Sequence, residues 1–74
     1  MAKRRDTIDF LFKKALALEK YHPEEAIKCY DKATELAPKN AITWYNKGTS
    51  LGRRLGKPEE ALKCFDKALE LDPK

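Results

Sequence analysis

The sequence predicts an all-α fold made of two copies of one helical hairpin. Residues 23–39 read PEEAIKCYDKATELAPK and residues 58–74 read PEEALKCFDKALELDPK, which are identical at 13 of 17 positions and start 35 residues apart. A fixed period of this length is typical of stacked repeats, in which each unit buries the face of its neighbour. Ala, Leu, Glu and Lys are the commonest residues and favour helix. A strand-like alternation of polar and apolar residues is missing from the sequence.

Size and charge limit the class of protein. Seventy-four residues are enough for one small domain. The formal net charge is +4, and much of the excess comes from a basic arm at residues 1–5, which contains Lys3, Arg4 and Arg5. No apolar stretch approaches the ~20 residues of a membrane span. Two cysteines without a signal sequence favour a reducing compartment, so we expect a cytoplasmic protein that makes no contact with membranes.

The first helix is predicted to begin at Asp6 or Thr7, because both are good N-cap residues, and to run to about Tyr21. One apolar stripe follows helical spacing and predicts the buried side. It consists of Ile8, Leu11, Phe12, Ala15 and Leu18. A second apolar stripe lies on nearly the opposite side, where an amphipathic helix is normally polar. It consists of Phe10, Ala17 and Tyr21.

The second helix is predicted to begin at Pro23, since proline suits a first helical position, and to end before Pro38. Two glutamates in its first turn favour the positive end of the helix dipole. We expect the inward side to consist of Ala26, Ile27, Tyr30, Ala33, Thr34 and Leu36 or Ala37. We interpret the charged side as solvated, with residues Lys28, Asp31, Lys32 and Glu35.

Asn40 is predicted to cap the third helix, which would span about residues 41–55 and end at a left-handed Gly56. Its inward side consists of Trp44, Gly48, Leu51 and Leu55. Pro58 and Pro73 then bracket the fourth helix, which would run to about Leu71. Linkers of two to four residues make neighbouring helices antiparallel. The chain is therefore helix–turn–helix, twice.

The two hairpins resemble the tetratricopeptide repeat. That family's pattern is Trp-x2-Leu-Gly-x2-Tyr, then Ala-x3-Phe and a closing Pro, over 34 residues. The second hairpin supplies Trp44, Gly48, Leu51, Ala61, Phe65 and Pro73, with Lys47 in the place of the leucine. The first hairpin supplies Ala26, Tyr30 and Pro38. Each repeat exceeds the family period by a residue or more, so we expect a longer first helix or a bulge near Gly52.

The resemblance implies a short right-handed α-solenoid with one repeat at residues 6–40 and a second at residues 41–74. It also implies a concave groove, lined by the first helix of each repeat, that binds a peptide or a partner helix. The groove residues would be Asp6, Asp9, Phe10, Lys13 and Ala17 on the first helix and Ile42, Tyr45, Asn46, Thr49 and Arg53 on the third. Asn46 would bind an extended backbone, Arg53 a carboxylate, and Tyr45 and Phe10 apolar groups.

Family members usually end in an extra helix that covers the last repeat, and we expect no such helix here. The fourth helix would then leave Leu62, Phe65 and Leu69 uncovered, with Cys64 beside them. Terminal repeats with an apolar outer face tend to self-associate, so we predict a homo-oligomer, most simply a dimer. The second stripe on the first helix has two interpretations, as a wall of the groove or as a contact with another copy.

Catalytic and metal chemistry have little support in the sequence. There is one histidine, and no glycine-rich phosphate loop is present. Cys29 and Cys64 occupy equivalent positions about 10 Å apart, which is too far for a disulfide, so we predict two free thiols. We therefore predict no enzymatic activity, no cofactor and no metal.

Two alternatives to peptide binding stay open. Nucleic acid could bind through Lys3, Arg4, Arg5, Lys13, Lys14, Arg53 and Arg54. This is disfavoured, because most of the basic excess lies in the arm at residues 1–5 and does not form a basic face on the helices. The chain could also be an isolated or engineered repeat scaffold that has no ligand of its own.

Overall fold

A computed structural model describes residues 4–73, with side chains from Thr7 onward. It contains four α-helices: α1 Arg4–Leu18, α2 Pro23–Leu36, α3 Ala41–Arg53 and α4 Pro58–Leu71. Residues 19–22, 37–40 and 54–57 connect them. Within the described range there is no strand, and none of its helices is long and apolar enough to cross a membrane. The predicted pair of helical hairpins is confirmed. The basic arm predicted at residues 1–5 lies largely outside the described residues.

Three predicted helix boundaries differ from the structure. Helix α1 begins at Arg4 rather than at Asp6 or Thr7, and it ends at Leu18 rather than near Tyr21. Pro23 prevents the helix from continuing through His22, because the residue before a proline avoids helical geometry, and His22 has φ −133° and ψ 61°. Helix α3 ends at Arg53 rather than near Leu55.

The other predicted caps are confirmed. The Asn40 side chain accepts hydrogen bonds from the backbone N–H groups of Ile42 at 3.0 Å and Thr43 at 3.4 Å. Gly56 has φ +62°, and the next N–H, that of Lys57, donates to the carbonyl of Leu51 at 2.8 Å. Helix α3 is continuous from Ala41 to Arg53, so the extra length of the repeat produces no bulge at Gly52.

The core consists of two clusters joined by Ile27, which packs against both. The first lies between α1 and α2 and contains the buried residues Ala15, Ala26, Cys29 and Tyr30. The second lies between α3 and α4 and contains Leu51, Ala61 and Cys64. Trp44 packs against the second cluster, and its Nε1–H donates to the Pro38 carbonyl at 2.9 Å. Helices α2 and α3 are therefore the inner helices of the fold, since α2 packs on α1 and α3, and α3 packs on α2 and α4.

Gly48 allows α3 and α4 to approach closely. A Cβ atom at this position would lie 2.8 Å from the Phe65 ring and 3.1 Å from the backbone oxygen of Ala61. Real Cβ atoms do not make contacts as short as the first of these. The predicted inward position of Gly48 is thus confirmed.

Candidate protein-binding surfaces

Aromatic contacts fix which positions of the two repeats are equivalent. The Phe12 ring meets Tyr30 edge-on with centroids 6.4 Å apart, and the Tyr45 ring meets Phe65 at 5.6 Å. Tyr30 and Phe65 are 35 positions apart, whereas Phe12 and Tyr45 are 33 apart. The second helices therefore correspond at an offset of 35 and the first helices at an offset of 33. Between equivalent positions of its first and second helices, the second repeat is therefore two residues longer than the first, and the added residues lie after Leu51.

On α3, the predicted groove residues form one continuous surface. Ile42, Tyr45 and Arg53 are exposed, and Asn46 and Thr49 are half-buried. The Asn46 Nδ2–H donates to the carbonyl of Ile42 and the Thr49 hydroxyl donates to that of Tyr45, both at 3.0 Å. The helix backbone thus already uses these two donors, and the Asn46 carboxamide oxygen is the group that can accept a hydrogen bond from a ligand.

On α1, the predicted groove residues divide between two neighbouring sides of the helix. At the offset of 33, Asp9 and Lys13 correspond to Ile42 and Asn46 and share their side. Phe10 and Ala17 correspond instead to Thr43 and Ser50, which are buried where α3 packs on α2. All four α1 residues are exposed. Asp6 has no described side chain.

An apolar cleft, here named the end cleft, lies between α3 and α4. Its main part is a hollow of about 370 Å³ lined chiefly by Ile42, Tyr45, Phe65, Ala68 and Leu69. A second hollow of about 260 Å³ shares Tyr45 and Phe65 and extends along α3 past Gly48, Thr49, Gly52 and Arg53. The cleft can receive apolar side chains from a helix or a peptide laid along α3.

The predicted self-association face on α4 is largely exposed. Leu62 is 59% exposed and Leu69 is 56% exposed, whereas Phe65 is half-buried against Tyr45. Cys64 was expected beside this face, and that expectation is wrong. It is buried in the second core cluster, and burial raises the pKa of its thiol. Cys64 and Cys29 are both free, as predicted.

Sequence reasoning missed an ion pair between the repeats. Asp31 was interpreted as part of a solvated face, but its carboxylate lies 2.6 Å from the Lys47 ammonium group. That ammonium also lies 5.5 Å from the centroid of the Trp44 ring. A signal was present, because Lys47 occupies the position where the family pattern has leucine, on the inward side of α3.

Sequence reasoning also missed a buried polar group at the junction of α1, α2 and α3. The Ser50 hydroxyl donates to the Glu19 carboxylate at 2.6 Å. The Tyr30 hydroxyl is buried close by and has no hydrogen-bond partner in the described part of the chain. Burial raises the pKa of Tyr30 to about 12, and the charge of the nearby Glu19 adds to this effect. Thr43 is also buried, two turns before Ser50 on the same side of α3.

Comparisons with known proteins agree with the duplicated hairpin. A family model described as the tetratricopeptide repeat matches residues 41–74, which contain α3 and α4. A second model, described as the TPR repeat, matches residues 23–54, which contain α2 and α3. Together the two matches extend from residue 23 to residue 74. A comparison with curated proteins found no match.

Proposed function

Because the chain belongs to the tetratricopeptide-repeat family, whose repeats generally mediate protein–protein interaction, we propose that it binds a peptide or partner helix along its first helices. The family is generally non-catalytic, and we propose that this chain has no enzymatic activity and needs no cofactor. The observation that carries the proposal is the end cleft, where the exposed side chains of Ile42 and Tyr45 border an apolar hollow of about 370 Å³.

The chemistry of this surface suits a ligand of mixed character. An apolar side chain would enter the hollow beside Tyr45, and the Asn46 carboxamide oxygen would accept a backbone N–H from an extended segment. Lys13 and Arg53 are exposed on the same side of the first helices and outnumber Asp9. A carboxylate on the ligand would pair with Arg53, whose guanidinium offers two parallel donors.

A selection for short peptides tests this proposal. Peptides displayed on phage are selected on the wild-type chain, and their dissociation constants are then measured against two matched variants. Ile42→Glu places a charge at the mouth of the end cleft, and Leu62→Glu makes the same change at a similarly exposed leucine on the outer side of α4. In dilute, monomeric protein we expect Ile42→Glu to weaken binding at least about tenfold, as for the loss of an apolar anchor, and Leu62→Glu, which changes only the proposed self-association face, to leave it unchanged.

Two outcomes would contradict groove binding. One is a selection that yields no peptide, and the other is a peptide lost by Leu62→Glu but retained by Ile42→Glu. A salt titration with a short single-stranded RNA as a probe tests the nucleic-acid alternative. Binding through phosphates weakens steeply with added salt, whereas binding through apolar anchors does not.

We also propose that the chain self-associates through Leu62, Phe65 and Leu69. The exposure of the two leucines on α4 supports this, because apolar side chains that are exposed together on one side of a helix are typical of a surface that binds another protein. Sedimentation equilibrium over a wide concentration range measures the mass. A larger species that disappears in Phe65→Lys is the expected result, and a monomer at every concentration would contradict the proposal.

A further inference from the structure

We propose that copies of this chain join head to tail, with α1 of one copy lying on the end cleft and α4 of the next. Within one chain, α3 lies on α2 in the same way, so the molecule contains its own template for the contact. This inference rests on the proposed self-association and adds its geometry.

The template is the contact between α2 and α3. Helix α3 contributes Thr43, Lys47 and Ser50, which recur at helical spacing along one side. Thr43 is 1% exposed, Lys47 pairs with Asp31, and Ser50 is buried and donates to Glu19. Burial of this side of α3 therefore depends on the preceding repeat.

Helix α1 carries the corresponding stripe of residues, and no described residue of the chain covers it. At the offset of 33, Phe10, Lys14 and Ala17 correspond to Thr43, Lys47 and Ser50. All three are exposed, and Phe10 is 64% exposed. Phe10 and Ala17 belong to the second apolar stripe that the sequence placed opposite the buried side of the helix.

Helix α4 presents the corresponding receiving surface. At the offset of 35, Leu62, Asp66 and Leu69 correspond to Ile27, Asp31 and Thr34 on α2. Ile27 packs against both core clusters, Asp31 pairs with Lys47, and Thr34 is 8% exposed. Their three counterparts on α4 are exposed.

Each of the two exposed surfaces, on α1 and on α4, is more apolar than its counterpart in the template. The buried threonines of the template, Thr43 and Thr34, are replaced by Phe10 and Leu69. Its buried hydroxyl groups, on Ser50 and Tyr30, are replaced by the apolar side chains of Ala17 and Phe65. The ion pair keeps both members, as Lys14 and Asp66. A contact between copies would thus be more apolar than the template while retaining the charged pair that sets its register.

Each repeat has a hollow on the outer side of the molecule, and the hollow of the first repeat has one wall fewer than that of the second. The hollow beside Lys14 is lined by Lys14, Leu18, Glu25, Lys28 and Cys29. Each has its counterpart in the hollow beside Lys47, which is lined by Lys47, Leu51, Glu60, Lys63 and Cys64. The hollow beside Lys47 has a further wall, formed by Ile27, Asp31 and Trp44. In a head-to-tail pair, Leu62 and Asp66 of the second copy supply the part of this wall that α2 provides within the chain.

Such a contact joins two different surfaces, so it can continue from copy to copy. A pair of end-blocked variants tests this directly. Phe10→Asp blocks the α1 surface and leaves α4 intact, and Leu69→Asp blocks α4 and leaves α1 intact. Both positions are more than half exposed, and circular dichroism confirms that each variant folds. We expect each variant alone to be monomeric and an equimolar mixture to form a one-to-one complex by sedimentation equilibrium.

The outcomes separate this inference from the self-association on which it rests. A wild-type chain that stays monomeric at every concentration contradicts both. A Phe10→Asp variant that still dimerises contradicts only the head-to-tail geometry, because two α4 surfaces would then meet each other. A mixture that remains monomeric also contradicts the geometry.

A charge exchange tests the register. We expect Lys14→Glu or Asp66→Lys alone to raise the dissociation constant about tenfold, and both changes in one chain to restore it, because each copy again offers opposite charges. Lys32→Glu makes the same charge change on an exposed side of α2 and is the control. A doubly substituted chain that associates more weakly than either single variant would overturn the pairing of Lys14 with Asp66.

Discussion

Helices α2 and α4 have almost the same sequence and very different surroundings. Tyr30 on α2 is fully buried between α1 and α3, whereas Phe65 on α4 is half-buried. Thr34 is 8% exposed and its counterpart Leu69 is 56% exposed. The difference teaches that burial in a repeat protein is set by the neighbouring unit, and that the sequence of one unit alone does not determine it.

Two of the four differences between residues 23–39 and residues 58–74 run against the usual rule that polar residues are exposed and apolar residues are buried. The more polar residues, Tyr30 and Thr34, are on the buried copy, and the more apolar Phe65 and Leu69 are on the exposed one. Of the two, the Thr34 hydroxyl has a hydrogen-bond partner, since it donates to the Asp31 carbonyl at 2.8 Å. An exposed copy that is more apolar than its buried twin is typical of a surface that binds another protein.

Removing the aromatic ring from each copy gives the largest expected difference. Tyr30→Ala should lower the free energy of unfolding by about 3–5 kcal/mol, because it opens a cavity in the first core cluster. Phe65→Ala should cost less, about 1–2 kcal/mol, because its ring is only partly buried. Urea denaturation of dilute protein measures both. Equal losses would show that α4 is as well covered as α2.

Two glycines of α3 give the next comparison. Gly48→Ala should cost about 2–3 kcal/mol, because the new Cβ would lie 2.8 Å from the Phe65 ring and against the Ala61 backbone. Gly52→Ala is the control in the same helix, since its Cβ would meet Ala61 Cβ at an ordinary 3.5 Å. It should raise the free energy of unfolding by about 0.5–1 kcal/mol. A Gly48→Ala variant as stable as the wild type would refute the close packing of α3 on α4.

The first repeat tolerates an alanine where the second requires glycine. Ala15 corresponds to Gly48 and is fully buried beside Tyr30. No pattern within one repeat indicates this difference, because it depends on the distance between the two helices of each hairpin.

Most of the fold was predictable from local signals. Pro23, Asn40 and Pro58 mark helix starts by backbone geometry alone, and the structure places helix starts at each of them, whereas Gly56 has the expected positive φ but follows the end of α3 at Arg53. The inward stripes were also predictable, because one helix shows its own apolar period. Helix α1 was less certain at its ends, since no proline or glycine precedes Arg4 and its last turn is shaped by His22 and Pro23.

Contacts between the repeats were less predictable. Thr43, Ser50 and Asp31 are polar and would suit a solvated surface, so their burial or pairing becomes apparent only when α3 lies on α2. The register of the first helices, 33 rather than 35, likewise required the ring contacts of Phe12 and Tyr45. The second apolar stripe on α1 was the one sequence signal of a stacking surface, and by itself it was ambiguous.

Titration of Tyr30 distinguishes the two copies at high pH. Its pKa is raised to about 12 by burial, with Glu19 adding to the effect, from the ordinary value of 10.0. A raised pKa in the folded state stabilises the fold below pH 10, and this contribution is lost as pH rises from about 10 to 12. Wild type should therefore lose about 2 kcal/mol more than Tyr30→Phe across this range.

Tyr30→Phe gives the first copy the residue that the second copy has at the equivalent position. The stabilities of the wild type and the variant at neutral pH serve as the control for the comparison at high pH. At neutral pH the substitution should change the free energy of unfolding by less than about 0.5 kcal/mol, because the hydroxyl that it removes has no partner. Parallel stability curves for the two proteins between pH 9 and about 12 would contradict the buried, charge-sensitive hydroxyl.

The smallest expected difference comes from the repeated aspartate. Asp31 lies 2.6 Å from Lys47, with its side chain 50% exposed and that of Lys47 20% exposed. Asp31→Asn should therefore cost only about 0.5–1 kcal/mol, as for a partly solvated ion pair. Asp66→Asn makes the same substitution at the equivalent position of α4, where the described residues form no ion pair with the aspartate, and should cost less than about 0.3 kcal/mol in the monomer.

Salt and concentration sharpen this last comparison. Added salt screens the Asp31–Lys47 pair, so the cost of Asp31→Asn should shrink toward that of Asp66→Asn in urea denaturation at high ionic strength. At protein concentrations where copies associate, the order should change, because Asp66 would then pair with Lys14 of another copy as Asp31 pairs with Lys47. An effect of Asp66→Asn that is the same in dilute and concentrated protein would mean that the second aspartate never acquires the partner of the first.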